Sequence, residues 1–198
     1  MKSCVRNIKY TAMLFVSAML LTIESMAQDN EKVELSRCSR FELGYIFGGM
    51  VYNDNFMYNP GVTISHTYDI KVNKKVGYGV GLGAQLFEDE RFIPIYADFV
   101  GQFKKNNSSP YLNVQLGYSI GWNEKYERIE NNKYRGGLMF ASGVGKRFGI
   151  SDKFSMLASF TYKHQVAQLK YVSFEGYTSK ERLNYDFFIL SIGIILEQ

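Results

Sequence analysis

Few side chains in this sequence have the type and spacing that chemistry requires. Its two histidines, His66 and His164, could each serve as a general base for a neighbouring hydroxyl. Ser65 precedes His66 directly, but adjacent residues of a strand point to opposite faces, so these two side chains would not meet. The residues after His164, Gln165–Ala167, include no serine. No Cys/His spacing typical of a metal site occurs either, so we expect no catalytic residue, no metal and no cofactor.

The segment Gly79–Ala84 matches a loose G-x-G-x-x-A dinucleotide fingerprint. That motif needs a helix directly after it, because the N-terminus of the helix binds the pyrophosphate. Here the charged turn Glu88–Arg91 follows almost at once, so we reject a nucleotide site. The longer stretch Val76–Leu86 alternates apolar residues with Gly and Gln, which indicates a strand with one apolar and one small face.

The N-terminal segment, residues 1–27, has the pattern of a secretory signal. A basic start precedes an apolar core of about 13 residues, Thr11–Ile23, which is shorter than the roughly 20 residues of a spanning helix. Ser25-Met26-Ala27 supplies the small-x-small cleavage pattern. We therefore expect export through a Sec-type signal peptide. Cys38 would then be the only mature cysteine, without an internal disulfide.

The mature chain contains eight candidate strands. No mature segment is apolar over 18 consecutive residues, and the other way to satisfy every backbone group inside a membrane is a closed barrel. We predict an all-β fold, an eight-stranded antiparallel up-and-down transmembrane β-barrel over residues 40–198, after a short leader over residues 28–39. The candidate strands, most of them at least as long as the 9–11 residues of a tilted membrane strand, are residues 40–50, 60–72, 75–87, 91–104, 110–122, 134–149, 153–167 and 184–197.

The chemistry of the two strand faces decides which side is outside. In the stretch Leu112–Trp122, aliphatic and aromatic residues alternate with Asn, Gln, Gly and Ser. A soluble barrel or two-sheet sandwich would turn its large apolar residues inward and would not expose rows of glycine. The pattern therefore favours a narrow lumen of small and polar side chains and an outer surface in contact with lipid.

Two segments carry a resemblance to a known family. The hairpin Gly143–Ser155 and the glycine-alternating strand Val76–Leu86 resemble the small eight-stranded outer-membrane barrels of the OmpA/OmpX type, in particular the exported barrel-domain proteins common in the Bacteroidetes. The resemblance implies a place in a bacterial outer membrane, among its lipids and lipopolysaccharide. It also implies transit by way of periplasmic chaperones and the barrel-insertion machinery, and it implies no catalytic residue. The chain departs from the family by ending on Ile194–Gln198 rather than on an aromatic residue.

Six charged residues fall on inward positions of the predicted strands. Charges in a narrow lumen must pair or stay hydrated, because desolvating one alone is costly. We predict an ion-pair network that plugs the barrel; a proton or ion path is the alternative. The six residues are Glu42, Asp69, Lys71, Asp98, Arg147 and Lys163.

Two long polar joins, residues 123–133 and 168–183, are predicted to be surface loops. They mix aromatic and charged side chains, as binding surfaces do, although solvated loops without a partner fit the same composition. The candidate contact residues for a surface ligand or host partner are Tyr126, Arg128, Tyr171, Phe174 and Tyr177.

These features favour a monomeric barrel with a structural or surface-interaction role, namely envelope integrity, adhesion or host contact. A narrow porin-like channel is the first alternative, and a lipid A-modifying enzyme that uses His164 on the outer face is the second. The formal net charge of +4 is small, and no lysine- or arginine-rich block occurs after the signal, so nucleic acid is not an expected partner.

Overall fold

The computed structural model describes residues 36–52, 55–73, 75–104, 108–123, 132–172 and 177–198. Within these residues the regular structure consists of strands, and no helix there is long and apolar enough to cross a membrane. The strands are β1 Ser36–Tyr52, β2 Asn55–Tyr58, β3 Gly61–Lys71, β4 Val76–Leu86, β5 Glu90–Gln102, β6 Pro110–Asn123, β7 Lys133–Arg135, β8 Leu138–Gly149, β9 Phe154–Val172 and β10 Thr178–Glu197.

Eight of these strands close into an antiparallel barrel. The order β10-β1-β3-β4-β5-β6-β8-β9 returns to its start because β9 also pairs with β10. Each of the eight strands thus has a partner on both sides, and the backbone N–H and C=O groups are satisfied within the protein. The two short strands extend the wall, β2 against β1 and β7 against β9. The closed eight-stranded fold is the one that the sequence predicts.

The barrel has two ends that differ in their connections. Both termini of the described barrel, Ser36 and Gln198, lie at one end, which we call the terminal end. Its turns are short, and the Asn73 side chain closes one of them by accepting hydrogen bonds from the backbone N–H groups of Lys75 (2.8 Å) and Val76 (2.7 Å). The opposite end, which we call the loop end, carries β2, β7 and the far tips of β9 and β10.

Three strand boundaries differ from the prediction. β1 begins at Ser36, so Cys38 is not in a leader but in a strand, where it faces the lumen and is buried. β9 continues to Val172 and β10 begins at Thr178, so most of the predicted loop 168–183 is a hairpin. The polar residues there occupy the outward positions of strands whose inward positions, such as Leu169 and Leu183, remain buried and apolar.

The predicted strand 134–149 is split into β7 and β8. Between them Gly136 and Gly137 pass very close to β6, where the N–H of Ser119 donates to the carbonyl of Gly137 at 2.8 Å. A Cβ added to Gly136 would lie 1.8 Å from the carbonyl oxygen of Ser119, so only glycine fits this approach.

The outer surface is apolar around the wall. Large aliphatic side chains on outward positions are more than half exposed, for example Ile64 at 58%, Val80 at 66% and Ile192 at 62%. A water-soluble monomer rarely exposes a continuous apolar surface of this extent. The inward positions hold glycine, small polar residues and charged side chains, together with aromatic residues near the loop end. The apolar-out, polar-in arrangement agrees with the predicted faces.

Candidate functional site

One arginine and three carboxylates occupy the lumen toward the terminal end. Arg40 projects inward from β1, is 3% exposed, and forms an ion pair with Asp98 of β5. Its guanidinium also lies 3.6 Å from Asp69 of β3 and 3.5 Å from Glu42, the next inward residue of β1. We call these four residues the arginine cluster. Asp98 is fully buried, so its carboxylate depends on the guanidinium of Arg40 to compensate its charge away from water.

A second group of charges closes the terminal end around Glu197. Lys71 of β3 donates to Glu197, and the Arg147 guanidinium lies 2.5 Å from the same carboxylate oxygen. Arg147 is 2% exposed and also donates from Nε and Nη2 to the hydroxyl of Ser155, at 3.0 and 2.9 Å. Residues from four strands, β3, β8, β9 and β10, are thereby tied together near the two barrel termini.

Lys163 lies apart from both groups of charges. Its ammonium donates to the side-chain oxygen of Gln85 at 2.9 Å. Among the described residues, no carboxylate pairs with it. It lines a polar cavity of about 50 Å³ in the middle of the lumen, together with Glu42, Tyr96 and Asn113. A cavity of this size and polarity has room for a few water molecules.

All six charged residues predicted for the lumen therefore face it, but they form separate groups. Glu42, Asp69 and Asp98 meet at Arg40, whereas Lys71 and Arg147 meet at Glu197. Arg40 and Glu197, the residues at which the two groups meet, were not among the predicted lumen charges. Arg40 has the same parity as Glu42 on β1, and Glu197 has the same parity as Ser191 on β10. Both lie at the ends of the predicted strands 40–50 and 184–197, so applying the alternation up to those ends would have found them.

The loop end of the lumen is filled by aromatic residues, which we call the aromatic plug. The ring of Phe187 stacks on Phe87 at 5.1 Å and on Tyr185 at 5.7 Å, and Phe92 meets Tyr185 edge to face at 5.4 Å. The hydroxyl groups of Tyr134 and Tyr185 are 2.8 Å apart. Ile46, Leu169 and Leu183 belong to the same buried cluster. Offset and edge-to-face ring pairs of this kind add to the free energy gained by burial.

One carboxylate is held among the aromatic rings of the plug. Glu90 accepts hydrogen bonds from the hydroxyl of Tyr185 at 2.7 Å and from the amides of Asn123 at 3.3 Å and Asn59 at 3.0 Å. These neutral donors solvate the buried charge. The plug was not predicted, because the sequence pattern favoured a lumen of small and polar side chains.

The five residues predicted as surface contacts lie in different parts of the chain. Tyr171 lies in β9 rather than in a loop, and its hydroxyl donates to Glu181 at 2.6 Å while its ring packs against the aromatic plug. Tyr177 precedes β10 and is 70% exposed. Tyr126, Arg128 and Phe174 lie outside the described residues.

The two histidines lie on the outer face. His164 Nδ1 is 2.9 Å from Asp186 Oδ1, which also accepts the hydroxyl of Tyr162 at 2.6 Å. His66 stacks on the ring of Phe41 at 4.3 Å. In the described part of the chain no contact joins either histidine to a serine hydroxyl, and no group of three His, Cys, Asp or Glu residues could hold a metal ion.

Comparison with known proteins gives a likeness of fold. No protein-family model matches the sequence, and a search of the curated proteins found no match. Among solved structures, Neisserial surface protein A matches with a TM-score of 0.59 and 12% identity, over 81% of this chain and 96% of that one. The outer membrane protein AlkL, solved in lipid bilayers, matches with a TM-score of 0.58 and 11% identity, over 86% and 93%. The chain thus has the closed eight-stranded antiparallel fold of small outer-membrane barrels.

Proposed function

We propose that this protein is a monomeric barrel of a bacterial outer membrane whose lumen is closed. Its role is structural or in surface interaction, namely envelope integrity, adhesion or host contact. The observation that carries the proposal is the filling of the lumen, by the arginine cluster toward the terminal end and by the aromatic plug at the loop end. An eight-stranded barrel has an interior that side chains can fill, and here they do.

Three observations support a place in the membrane. The outer wall is apolar and exposed, the strands leave no open edge, and the fold is that of AlkL, which was solved in lipid bilayers. The hairpin Gly143–Ser155 further supports the assignment to the OmpA/OmpX type found in the Bacteroidetes. The proposal includes export by way of the signal at residues 1–27, and the assignment to this type implies transit by way of the periplasmic chaperones and the insertion machinery.

The orientation follows from the two ends. Outer-membrane barrels have short periplasmic turns and longer extracellular connections. The terminal end has the short turns, such as the one that Asn73 closes, so we place it in the periplasm. The loop end, with the tall hairpin of β9 and β10, then projects from the cell surface.

A narrow channel is the second candidate. It is favoured by the polar cavity beside Lys163 and by a further cavity of about 30 Å³ at the terminal end, which Lys71 and Arg147 line. The arginine cluster lies between the two, since Arg40 and Asp69 line the terminal cavity and Glu42 lines the central one. The ion pairs thus interrupt the path that the cavities would form.

We propose no catalytic role for the outer face. An enzyme that modifies lipid A through His164 would need a hydroxyl positioned for deprotonation. The polar groups around this ring are instead joined to each other, because Asp186 accepts hydrogen bonds from Tyr162 and contacts His164. The arrangement fits a polar anchor at the border of the apolar wall.

Gel mobility and conductance test the proposal together. Isolated outer membranes, boiled and unboiled, should give two mobilities on a gel, because a folded barrel resists detergent until it is heated. The purified barrel in a planar bilayer should then give no steady single-channel current. A protein found in the soluble periplasmic fraction would exclude the membrane barrel. A steady current that falls when the lumen is blocked would exclude the closed lumen.

A further inference from the structure

Five cationic side chains share the outward face of the sheet at the loop end. The face is formed by β7, β9 and β10, and every one of the five is exposed. They alternate with the buried residues Tyr134, Leu169 and Leu183, which fixes their outward direction. We call this surface the basic face, and its members are Lys133, Arg135, Lys170, Lys180 and Arg182.

The strand register places these cations in two rows. Lys133 pairs with Lys170, and Lys170 pairs with Lys180, so three lysines stand side by side across three strands. In the next outward row Arg135 and Arg182 lie on either side of Gln168. Directly opposed residues of an antiparallel pair have Cβ atoms about 4.5–5.5 Å apart, and like charges at that distance destabilise the pairing.

Acidic side chains do not compensate this charge within the described residues. No ion pair there involves any of the five cations. Glu181, between Lys180 and Arg182 in the chain, belongs to the opposite face and accepts a hydrogen bond from Tyr171. Asp186, on the same outward face of β10, is held by Tyr162 and His164. The basic face is therefore complementary to an external anion.

The position of the basic face indicates which kind of anion. Along β9 the outward side chains below it are Val166, His164, Tyr162 and Phe160, and Phe160 stacks on Phe188 of β10 at 5.6 Å. The lower row begins at Gln168, four residues or about 13 Å along β9 beyond His164, which lies at the border of the apolar wall. An anion on the basic face would thus stand directly above the acyl chains that cover the wall.

We propose that the basic face binds the phosphate groups of a phosphorylated lipid of the outer leaflet. The acyl chains of that lipid would pack along Phe160, Phe188 and Leu190, while Lys and Arg side chains reach its phosphates. The inference rests on the proposed function, because it needs the loop end to lie at the outer leaflet. Binding at this site would fix the depth of the barrel in the membrane. It would also keep β7, β9 and β10 paired despite the repulsion between their facing positive charges.

Binding of a defined lipid tests this inference. The mature barrel, folded in micelles of a zwitterionic detergent, would be titrated with diphosphorylated lipid A, with phosphate-free lipid A and with inorganic pyrophosphate. We expect the diphosphorylated lipid to bind and the phosphate-free form to bind at least about tenfold more weakly, since several cations lose their partners. Pyrophosphate should compete poorly, because it lacks acyl chains. Equal competition by pyrophosphate would indicate a site for free anions and would overturn the lipid assignment.

Two matched variants locate the site. The first replaces all five cations of the basic face by Gln and should weaken the binding of diphosphorylated lipid A by at least about tenfold. The second replaces five cations at the terminal end by Gln, so that the change in net charge is the same. It should leave the affinity within about twofold of wild type, because those positions lie more than a Debye length from the basic face. The control substitutions are Arg37→Gln, Lys75→Gln, Lys104→Gln, Lys146→Gln and Lys153→Gln. Equal losses in the two variants would mean that only net charge matters and would contradict the inference.

The gel assay separates this inference from the proposed function. Both variants should keep the heat-dependent mobility of the folded barrel, because all but one of the replaced side chains are exposed and Lys75 lies in a turn. A wild-type protein without that mobility shift would not be a membrane barrel, and the proposed function would fail. A wild-type barrel with the shift but without lipid binding would overturn the basic face alone.

Discussion

The two halves of the lumen are closed by different physical means. Toward the loop end, the aromatic plug packs rings of Phe87, Phe92 and Phe187 against one another, and its buried carboxylate is held by neutral donors. Toward the terminal end, the arginine cluster and the group around Glu197 consist of opposite charges taken out of water. One half is held by burial and shape, the other by charge pairing.

This difference predicts different responses to damage. An apolar cluster that loses a ring loses contacts and gains a cavity, but the remaining apolar side chains need no polar partner when they are buried. A buried ion cluster that loses one sign of charge keeps the other sign without a partner, and the cost of desolvation is then uncompensated. Substitutions in the two halves therefore test the comparison directly.

The largest loss should follow Arg40→Ala. It leaves the buried Asp98 without its cation and removes the partner of Asp69 and Glu42, so we expect the free energy of unfolding to fall by about 3–5 kcal/mol. Urea unfolding in lipid vesicles measures this, with fluorescence of Trp122, the only tryptophan, as the probe. Arg37→Ala, an exposed position of the same strand, is the control and should change the value by less than about 0.5 kcal/mol.

A double variant sharpens the interpretation of that loss. Asp98→Asn added to Arg40→Ala removes the stranded charge and should recover part of the stability, since the two residues are coupled. A loss under about 1 kcal/mol for Arg40→Ala alone, or no recovery in the double variant, would mean that the cluster is hydrated and does not close the lumen.

A smaller loss should follow Phe187→Ala in the aromatic plug. The ring is fully buried and stacks on Phe87 and Tyr185, so its removal should cost about 3 kcal/mol through lost burial and the cavity left behind. Phe188→Ala is the matched control, because Phe188 is the adjacent residue and faces outward. Lipid tails can refill the space that it leaves, so its cost should be lower. Equal costs in the same unfolding assay would indicate that the plug is not packed.

The sequence predicts the direction of these side chains better than their partners. Strict alternation assigns Glu42, Asp69 and Asp98 to the lumen because a strand has a period of two residues. Their common partner, Arg40, depends on the strand register and on where β1 begins. Arg40 is the first residue of the predicted strand 40–50, and the polar segment before it has no clear alternation, so its inward direction was missed.

The aromatic plug and the basic face were missed for a related reason. The basic face lies where the strands continue past the apolar wall, so its outward side chains are polar, and the inward side chains of the plug are large. Lys170 and Arg182 therefore look like loop residues in the sequence. Tyr185 and Phe187 face inward but are large, so they do not fit the expected pattern of small inward side chains. Only the pairing of β9 with β10 identifies the segment as a hairpin.

The smallest effect, of opposite sign, should follow Lys163→Met. Lys163 is 3% exposed like Arg40, but its described partner is the neutral side chain of Gln85, at 2.9 Å. Removing its charge therefore leaves no described carboxylate without a partner, and an apolar side chain of similar volume avoids the desolvation cost. We expect the free energy of unfolding to stay the same or to rise by about 1 kcal/mol. Arg40→Met, the same kind of replacement in the arginine cluster, should instead lower it. Equal destabilisation by the two substitutions would mean that the carboxylates around Arg40 do not distinguish it from Lys163. Charge pairing in one half of the lumen and packing in the other would then not explain how the lumen is closed.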